Sequence, residues 1–208
     1  MTPHPTAEHV ARRNDLTYQF ATSHLGGENI DICNEEDGVL LFTVNEVQED
    51  AWRESRSMKA VIVNTFQEFL AAFPENDLAE FINEYDPERI CFNMKIYRST
   101  SYYDGISVAF TIKVNGGMYS MCCTDQMQIC FKSGDSPARI DGNTSNMIFY
   151  QKIFCQGDPD VFSFESSLKK GYYLALIQEN GRHKLGLKQS QDDVDTSRAF
   201  DIHMKNGS

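Results

Sequence analysis

The residues best placed to undergo chemistry lie at the junction Val47-Gln48-Glu49-Asp50, followed by Ala51-Trp52. That chemistry would be done to the chain and not by it. A cysteine protease of the caspase type needs an aspartate on the amino side of the cut bond, in an accessible, extended peptide, with a small residue following. Asp50-Ala51 offers this, and Asn34-Glu35-Glu36-Asp37 before Gly38 is its rival. The charge of the chain changes at the same place. Residues 1–50 carry ten carboxylates against Arg12 and Arg13, a net −8, whereas 51–208 carry twenty against seventeen Lys and Arg, a net −3. Such asymmetry reads as an acidic pro-segment, 1–50, attached to a nearly balanced domain, 51–208. No cluster of Lys and Arg could neutralise a run of phosphates, so nucleic acid is not an expected partner.

The other reactive residue types form no catalytic pattern. Six cysteines are present, Cys33, Cys91, Cys122, Cys123, Cys130 and Cys155, without a CxxC. Adjacent strand residues point to opposite faces, so Cys122 and Cys123 could not both enter one small site. The four-ligand spacing of a zinc site is missing, and the thiols read as reduced cytosolic cysteines, several of them buried as small hydrophobes. The five histidines, His4, His9, His24, His183 and His203, include no HExxH pair, and no GxSxG, Walker-type or GxGxxG element occurs. Asn115-Gly116-Gly117 is a turn with no helix pattern after it, so it is not a phosphate cradle. Asp192-Asp193 reads as a solvated loop pair. No catalytic residue, metal or cofactor is expected. The N-terminal stretch has no continuous apolar segment, and no apolar run approaches the ~20 residues that cross a bilayer. Synthesis in the cytosol, without signal peptide or membrane insertion, is therefore expected. The sequons Asn143-Thr144-Ser145 and Asn206-Gly207-Ser208 would then stay unmodified.

The elements that must position these residues are strands. In the acidic segment only Val39–Val44 has strand character, and two readings stand side by side: the segment is disordered, or it folds by docking onto something else, for instance by adding this strand to an exposed sheet edge of the domain. From residue 58 on, about twelve short apolar runs follow one another. Ile90, Phe92, Met94 and Ile96 alternate; so do Ile106, Val108, Phe110, Ile112 and Val114, with Ser107, Thr111 and Lys113 opposite; so do Phe200, Ile202 and Met204. Period two means strands with one face wet. Turn chemistry separates them at Asn115-Gly116-Gly117, Gly134-Asp135-Ser136-Pro137, Asp141-Gly142-Asn143, Gly157-Asp158-Pro159 and Asn180-Gly181, the last a hairpin signal. The segment 66–84 could also pass for helix. Closely spaced strands of this kind mean an all-β barrel or sandwich, and periodicity alone does not choose between them.

One stretch goes further. Ile148-Phe149-Tyr150-Gln151-Lys152, then Phe164-Glu165-Ser166-Ser167, then Gly171-Tyr172-Tyr173-Leu174-Ala175, together resemble the signature of the interleukin-1 cytokine family, with Phe164, Ser166, Tyr173, Leu174 and Ala175 at its centre. Upstream, Glu54-Ser55, Lys59-Ala60-Val61-Ile62, Arg89-Ile90, Ile96-Tyr97-Arg98, Gly105-Ile106-Ser107-Val108 and Phe131-Lys132 fall in matching order, so the likeness covers roughly 54–208. The resemblance implies a β-trefoil of about twelve strands and a monomeric pro-inflammatory ligand, not an enzyme. It implies a leaderless precursor matured by caspase-1 after Asp50 and then secreted. The product would bind an immunoglobulin-domain receptor alpha chain and an accessory chain, with a soluble binding protein as a further partner, and drive NF-κB signalling and interferon-γ production. Residue by residue, it puts Arg98, Ile106 and Asp86 at the receptor and Lys132 at the accessory chain. Val63 and Gln67 depart from charged family positions, and Pro87 after Asp86 should block a second, inactivating cut. The alternatives are an antagonist or decoy ligand of the same fold, and a β-trefoil carbohydrate-binding protein. The latter would show repeated Gln-x-Trp elements, whereas the single Trp52 reads as lying outside the strand core.

Overall fold

A computed structural model describes residues 50–155, 158–190 and 195–205, and within 1–49 the backbone of three strands. The chain divides into two compact units, Met1–Glu49 and Asp50–Ser208. In the first, β1 (Val10–Arg12), β2 (Ile30–Glu36) and β3 (Val39–Val44) form an antiparallel sheet in the order β1-β3-β2. The expected strand Val39–Val44 is its centre. Leu41 faces Val10 on one side and Phe42 faces Ile32 on the other. The backbone partners of β3 come from its own segment, β2 along its whole length and β1 at Val39–Leu41, so the segment holds three strands where the sequence pattern marks one.

The second unit repeats one pattern three times: a barrel strand, a hairpin, a barrel strand. The first repeat is β4 (Ala51–Asn64), the hairpin β5 (Phe69–Phe73) and β6 (Leu78–Ile82), and β7 (Phe92–Ser99). The second is β8 (Ile106–Val114), the hairpin β9 (Gly117–Cys123) and β10 (Ile129–Ser133), a short β11 (Arg139–Asp141) and β12 (Phe149–Cys155). The third is β13 (Asp158–Ser166), the hairpin β14 (Tyr172–Glu179) and β15 (Arg182–Gln189), and β16 (Phe200–Lys205). The six barrel strands close a ring, β4-β7-β8-β12-β13-β16 and back to β4, antiparallel at every step. The three hairpins touch one another over one end. This is a β-trefoil, and closure leaves the barrel no free edge.

Local chemistry accounts for most of these elements. Asn115-Gly116 and Asn180-Gly181 hold left-handed φ values at both positions, 50° and 79°, and 49° and 74°. That is the two-residue turn whose twist suits a hairpin. Residues 66–84 are not helix. Leu70 and Ala72 of β5 point into the barrel core while Ala71 joins a second cluster outside, and a single 3₁₀ turn, Pro74–Asn76, reverses the chain. Asp158 and Pro159 belong to β13 and not to a turn; residues 156–157 before them lie outside the described residues, as do Asp192-Asp193 and the Asn206 sequon.

The core is built on phenyl rings. Phe92 meets Phe110 edge-on at 6.4 Å, Phe110 meets Phe164 at 5.3 Å, Phe164 meets Phe200 at 6.3 Å, and Phe200 stacks on Phe81 at 5.9 Å. Phe149 lies 6.2 Å from Phe110. The reading that β8 has one wet face is corrected. Ser107, Ala109 and Thr111 on its outer side are buried too, and only Lys113 is exposed. The cover is a second apolar cluster of Trp52, Tyr97, Ala109, Ile148 and Tyr150, so Trp52 is fully buried within β4 and not outside the strands. Phe110→Ala should lower unfolding stability by about 3–5 kcal/mol, because its buried ring meets three others, Phe92, Phe149 and Phe164, whereas Lys113→Ala should stay within about 0.5 kcal/mol. Chemical denaturation midpoints at constant m-value check this.

Candidate functional site

The mouth of the barrel opposite the hairpins exposes three large aliphatic side chains of the described residues. Inward-facing positions run out of the core there at three strand ends. Ile106 begins β8 on the face of Val108 and Phe110 and is 50% exposed. Ile153 ends β12 on the face of Phe149 and Gln151 and is 59% exposed. Met204 ends β16 on the face of Phe200 and Ile202 and is 46% exposed. Beneath them lie half-buried Met58, Ile96, Phe162 and Ile202, packed on the core. Tyr97 pairs with Ser107 in the β7–β8 register, which brings exposed Arg98 beside Ile106. The structure thus unites two of the residues singled out from sequence. Ile153 and Met204 were missed as surface residues; their alternation is the same signal that marks core, and only strand length shows that they overrun it.

Ionic ties hold the rim of this mouth. Gly105, at φ 119°, turns the chain into β8, and a Cβ there would meet the Gln151 carbonyl oxygen at 2.7 Å. Beside it Lys152 bridges Asp104 at 2.9 Å and Glu165 at 2.8 Å. Burial alone would lower the Lys152 pKa, but the hydrogen bonds to Glu165 and Asp104 outweigh it and the net direction is up. Lys95, buried behind Arg98, donates to Glu54, Asp135 and the Ser136 carbonyl. Next to it the Tyr97 hydroxyl donates to the Pro137 carbonyl at 2.8 Å. The loop 134–137 is thereby fixed against β7.

The other sequence-selected residues fall elsewhere. Lys132 is exposed on β10, opposite Ser120, in the hairpin cap. Asp86 is half-buried and caps a one-turn helix, α1 (Pro87–Ile90), accepting from the Glu88 amide at 3.1 Å and lying 3.8 Å from Arg89. Phe164, Leu174 and Ala175 are buried. Ser166 Oγ accepts from the Lys169 amide at 3.3 Å, and Tyr173 carries the Arg198 guanidinium over its ring at 4.9 Å. Those five residues are framework, not contact surface. Asp50 stands just before β4, and Ala51 is the first residue of that strand. The rival Asp37 lies outside the described residues.

Nothing here resembles a catalytic centre. Among the described residues no group of three His, Cys, Asp or Glu could hold a metal. His183 Nδ1 is 2.6 Å from Glu68 and its ring stacks on Phe66, while His203 is exposed. No helix among the described residues is long and apolar enough to cross a membrane.

Residues 82–200 match the family described as Interleukin-1 / 18. The chain belongs to the interleukin-1/18 family. It is 31% identical to interleukin-18 of Gallus gallus over 171 residues, 77% of this chain and 87% of that one. It is 33% identical to interleukin-18 of Bos taurus over 143 residues, 63% of this chain and 74% of that one. The crystal structure of chicken interleukin 1 beta superposes with a TM-score of 0.56 at 19% identity, over 73% of this chain and 98% of the other, which establishes the shared trefoil. A member of this family is a cytokine of the interleukin-1/18 type and not an enzyme.

The cysteines separate by burial. Cys122 and Cys123 are fully buried, Cys91 and Cys130 are intermediate, and Cys155 is exposed. Burial, with Cys130 beside it, pushes the Cys122 thiol up to about 12. At pH 8 its thiolate fraction is then of order 10⁻⁴, and the thiolate is the nucleophile. Among the five described cysteines, iodoacetamide on the native protein should therefore modify Cys155 first and leave Cys122 and Cys123 unmodified until the domain unfolds. Peptide masses read the order.

Proposed function

We propose that the chain is a precursor in which residues 1–50 are an acidic propeptide and 51–208 the active cytokine domain. Caspase-1, or a protease of similar specificity, would release the domain by cutting after Asp50. The precursor would be made in the cytosol without a signal peptide and leave the cell after processing. The released domain would bind an interleukin-18-type receptor alpha chain, then an accessory chain, leading to NF-κB signalling and interferon-γ production; a soluble binding protein would compete for the same surface. The observation that carries this reading is the apolar barrel mouth, with Ile106, Ile153 and Met204 exposed beside Arg98.

A buried apolar centre with a charged rim is how a stable protein interface divides its labour. Ile106 and its neighbours would supply the desolvated centre and Arg98 an ion pair or bidentate hydrogen bond at the rim. Lys132, at the other end of the domain, is free to meet a second chain, which suits a ligand that works by bridging. Asp86 fits a receptor role less well, since its carboxylate is already engaged as a helix cap.

Ile106→Asp and Arg98→Glu should each weaken binding to the receptor alpha chain at least tenfold, equivalent to about 1.4 kcal/mol, without changing the melting temperature by more than a few degrees. Surface plasmon resonance with the immobilised receptor ectodomain and a thermal melt check both parts. In cells bearing both receptor chains, full-length protein and its Asp50→Ala variant should be silent after caspase-1 treatment of the variant, and only protein beginning at Ala51 should activate NF-κB. Binding without activation would make the domain an antagonist. Binding to glycans in place of the receptor would favour the carbohydrate-binding alternative.

A further inference from the structure

The bond on which that reading depends is not laid out as a protease would need it. The Asp50 carbonyl accepts from the Gly142 amide at 2.6 Å, and the Asp50 carboxylate accepts a short hydrogen bond from Ser101 Oγ. The Ala51 amide donates to Thr100 Oγ1 at 3.0 Å, and the Ala51 carbonyl accepts from the Thr100 amide at 3.1 Å. Ala51 pairs with Asp141, Trp52 with Ile140 on one side and Ser99 on the other, so this end of β4 is flanked by β11 and by the end of β7. Ala51 is 1% exposed and Trp52 0%. The Trp52 ring stacks on Tyr103 at 5.7 Å, which in turn stacks on Tyr150 at 4.8 Å.

An aspartate-specific cysteine protease must take all of these handles for itself. It binds its substrate as an added strand, which needs free backbone groups on both sides of the cut. It places the aspartate carboxylate in a pocket. Its thiolate attacks the Asp50 carbonyl carbon while donors stabilise the oxygen. The C–N bond to Ala51 breaks, the nitrogen takes a proton and leaves as the new amino terminus, and water hydrolyses the thioester to the Asp50 carboxylate, restoring the thiol. In the folded chain the carbonyl is held by Gly142, the carboxylate by Ser101 and the amide by Thr100.

Building on the assignment of Asp50 as the cut site, we propose that Thr100, Ser101 and the Asp141–Gly142 turn form a latch on the Asp50–Ala51 bond, and that processing proceeds only from a locally opened state in which residues 50–51 leave their seat. The latch belongs to the trefoil itself and is independent of how the acidic segment is arranged. It makes the loop 99–101 a determinant of processing rate although none of its residues belongs to the peptide that the protease reads. The indole and its tyrosine neighbours confine the opening to the first residues of the strand, since Trp52 remains anchored in its cluster.

The test measures cleavage of the full-length chain by caspase-1, with the new N-terminus read by intact mass. Ser101→Ala and Thr100→Val together should accelerate the cut about tenfold, each lost hydrogen bond contributing a factor of a few to the opened population. Ile112→Val, a core change away from the junction that lowers overall stability, should leave the rate within a factor of two. The unstructured peptide 46–55 should be cut after Asp50 much faster than the folded chain. Equal rates for peptide and folded chain, or no acceleration in the double variant, would overturn the latch while leaving Asp50 as the site. A peptide that caspase-1 does not cut after Asp50 would overturn that assignment, and the latch with it.

Discussion

The run of phenyl rings from Phe92 through Phe110, Phe164 and Phe200 to Phe81 is the interaction on which the trefoil depends. Its members come from all three repeats: β6 and β7 of the first, β8 of the second, β13 and β16 of the third. A four-strand repeat has too little surface to bury its own apolar face. Three together enclose a common core, with each ring touching one from another strand. Edge-on and offset contacts at these separations add about 0.5–1.5 kcal/mol each beyond the area they bury. The barrel closes because the core is shared, and each of its six strands pairs with a neighbour on both sides.

Closure also explains where recognition can occur. A barrel without edges offers no backbone for strand addition, so binding must use side chains that leave the core at its open end or stand on its outer face. Ile106, Ile153 and Met204 are the first kind, with Arg98 beside Ile106; Lys132 stands apart on the hairpin cap. Buried Lys95 and half-buried Lys152 tie loops 134–137 and 104 to the strands beneath, each against two carboxylates. The mouth is therefore a fixed shape.

The outer cluster around Trp52 fixes where the first strand of the domain begins. The same stack of Trp52, Tyr103 and Tyr150 that covers the outside of β8 seats the first residues of β4. Ala51 and Trp52 are thereby buried from the first residue of the strand onward.

Strand positions and hairpin turns were legible in the sequence because they follow from local rules. Alternation in β7, β8 and β16, and Asn-Gly at two turns, need only neighbours along the chain. The signature around Phe164 and Ser166 was legible in another way, as a resemblance to a family. Other features were decided by tertiary structure alone. That both faces of β8 are covered depends on Trp52, 57 residues from Ala109, crossing the barrel wall. That 66–84 is a hairpin depends on the clusters on its two sides. Arg98 and Ile106 meet because β7 pairs with β8, while Lys132 lies in the opposite cap and Asp86 closes a helix. The Asp50–Ala51 bond reads as an open junction in sequence and is seated in structure, because its partners at 99–101 and 141–142 arrive only when the barrel closes around them.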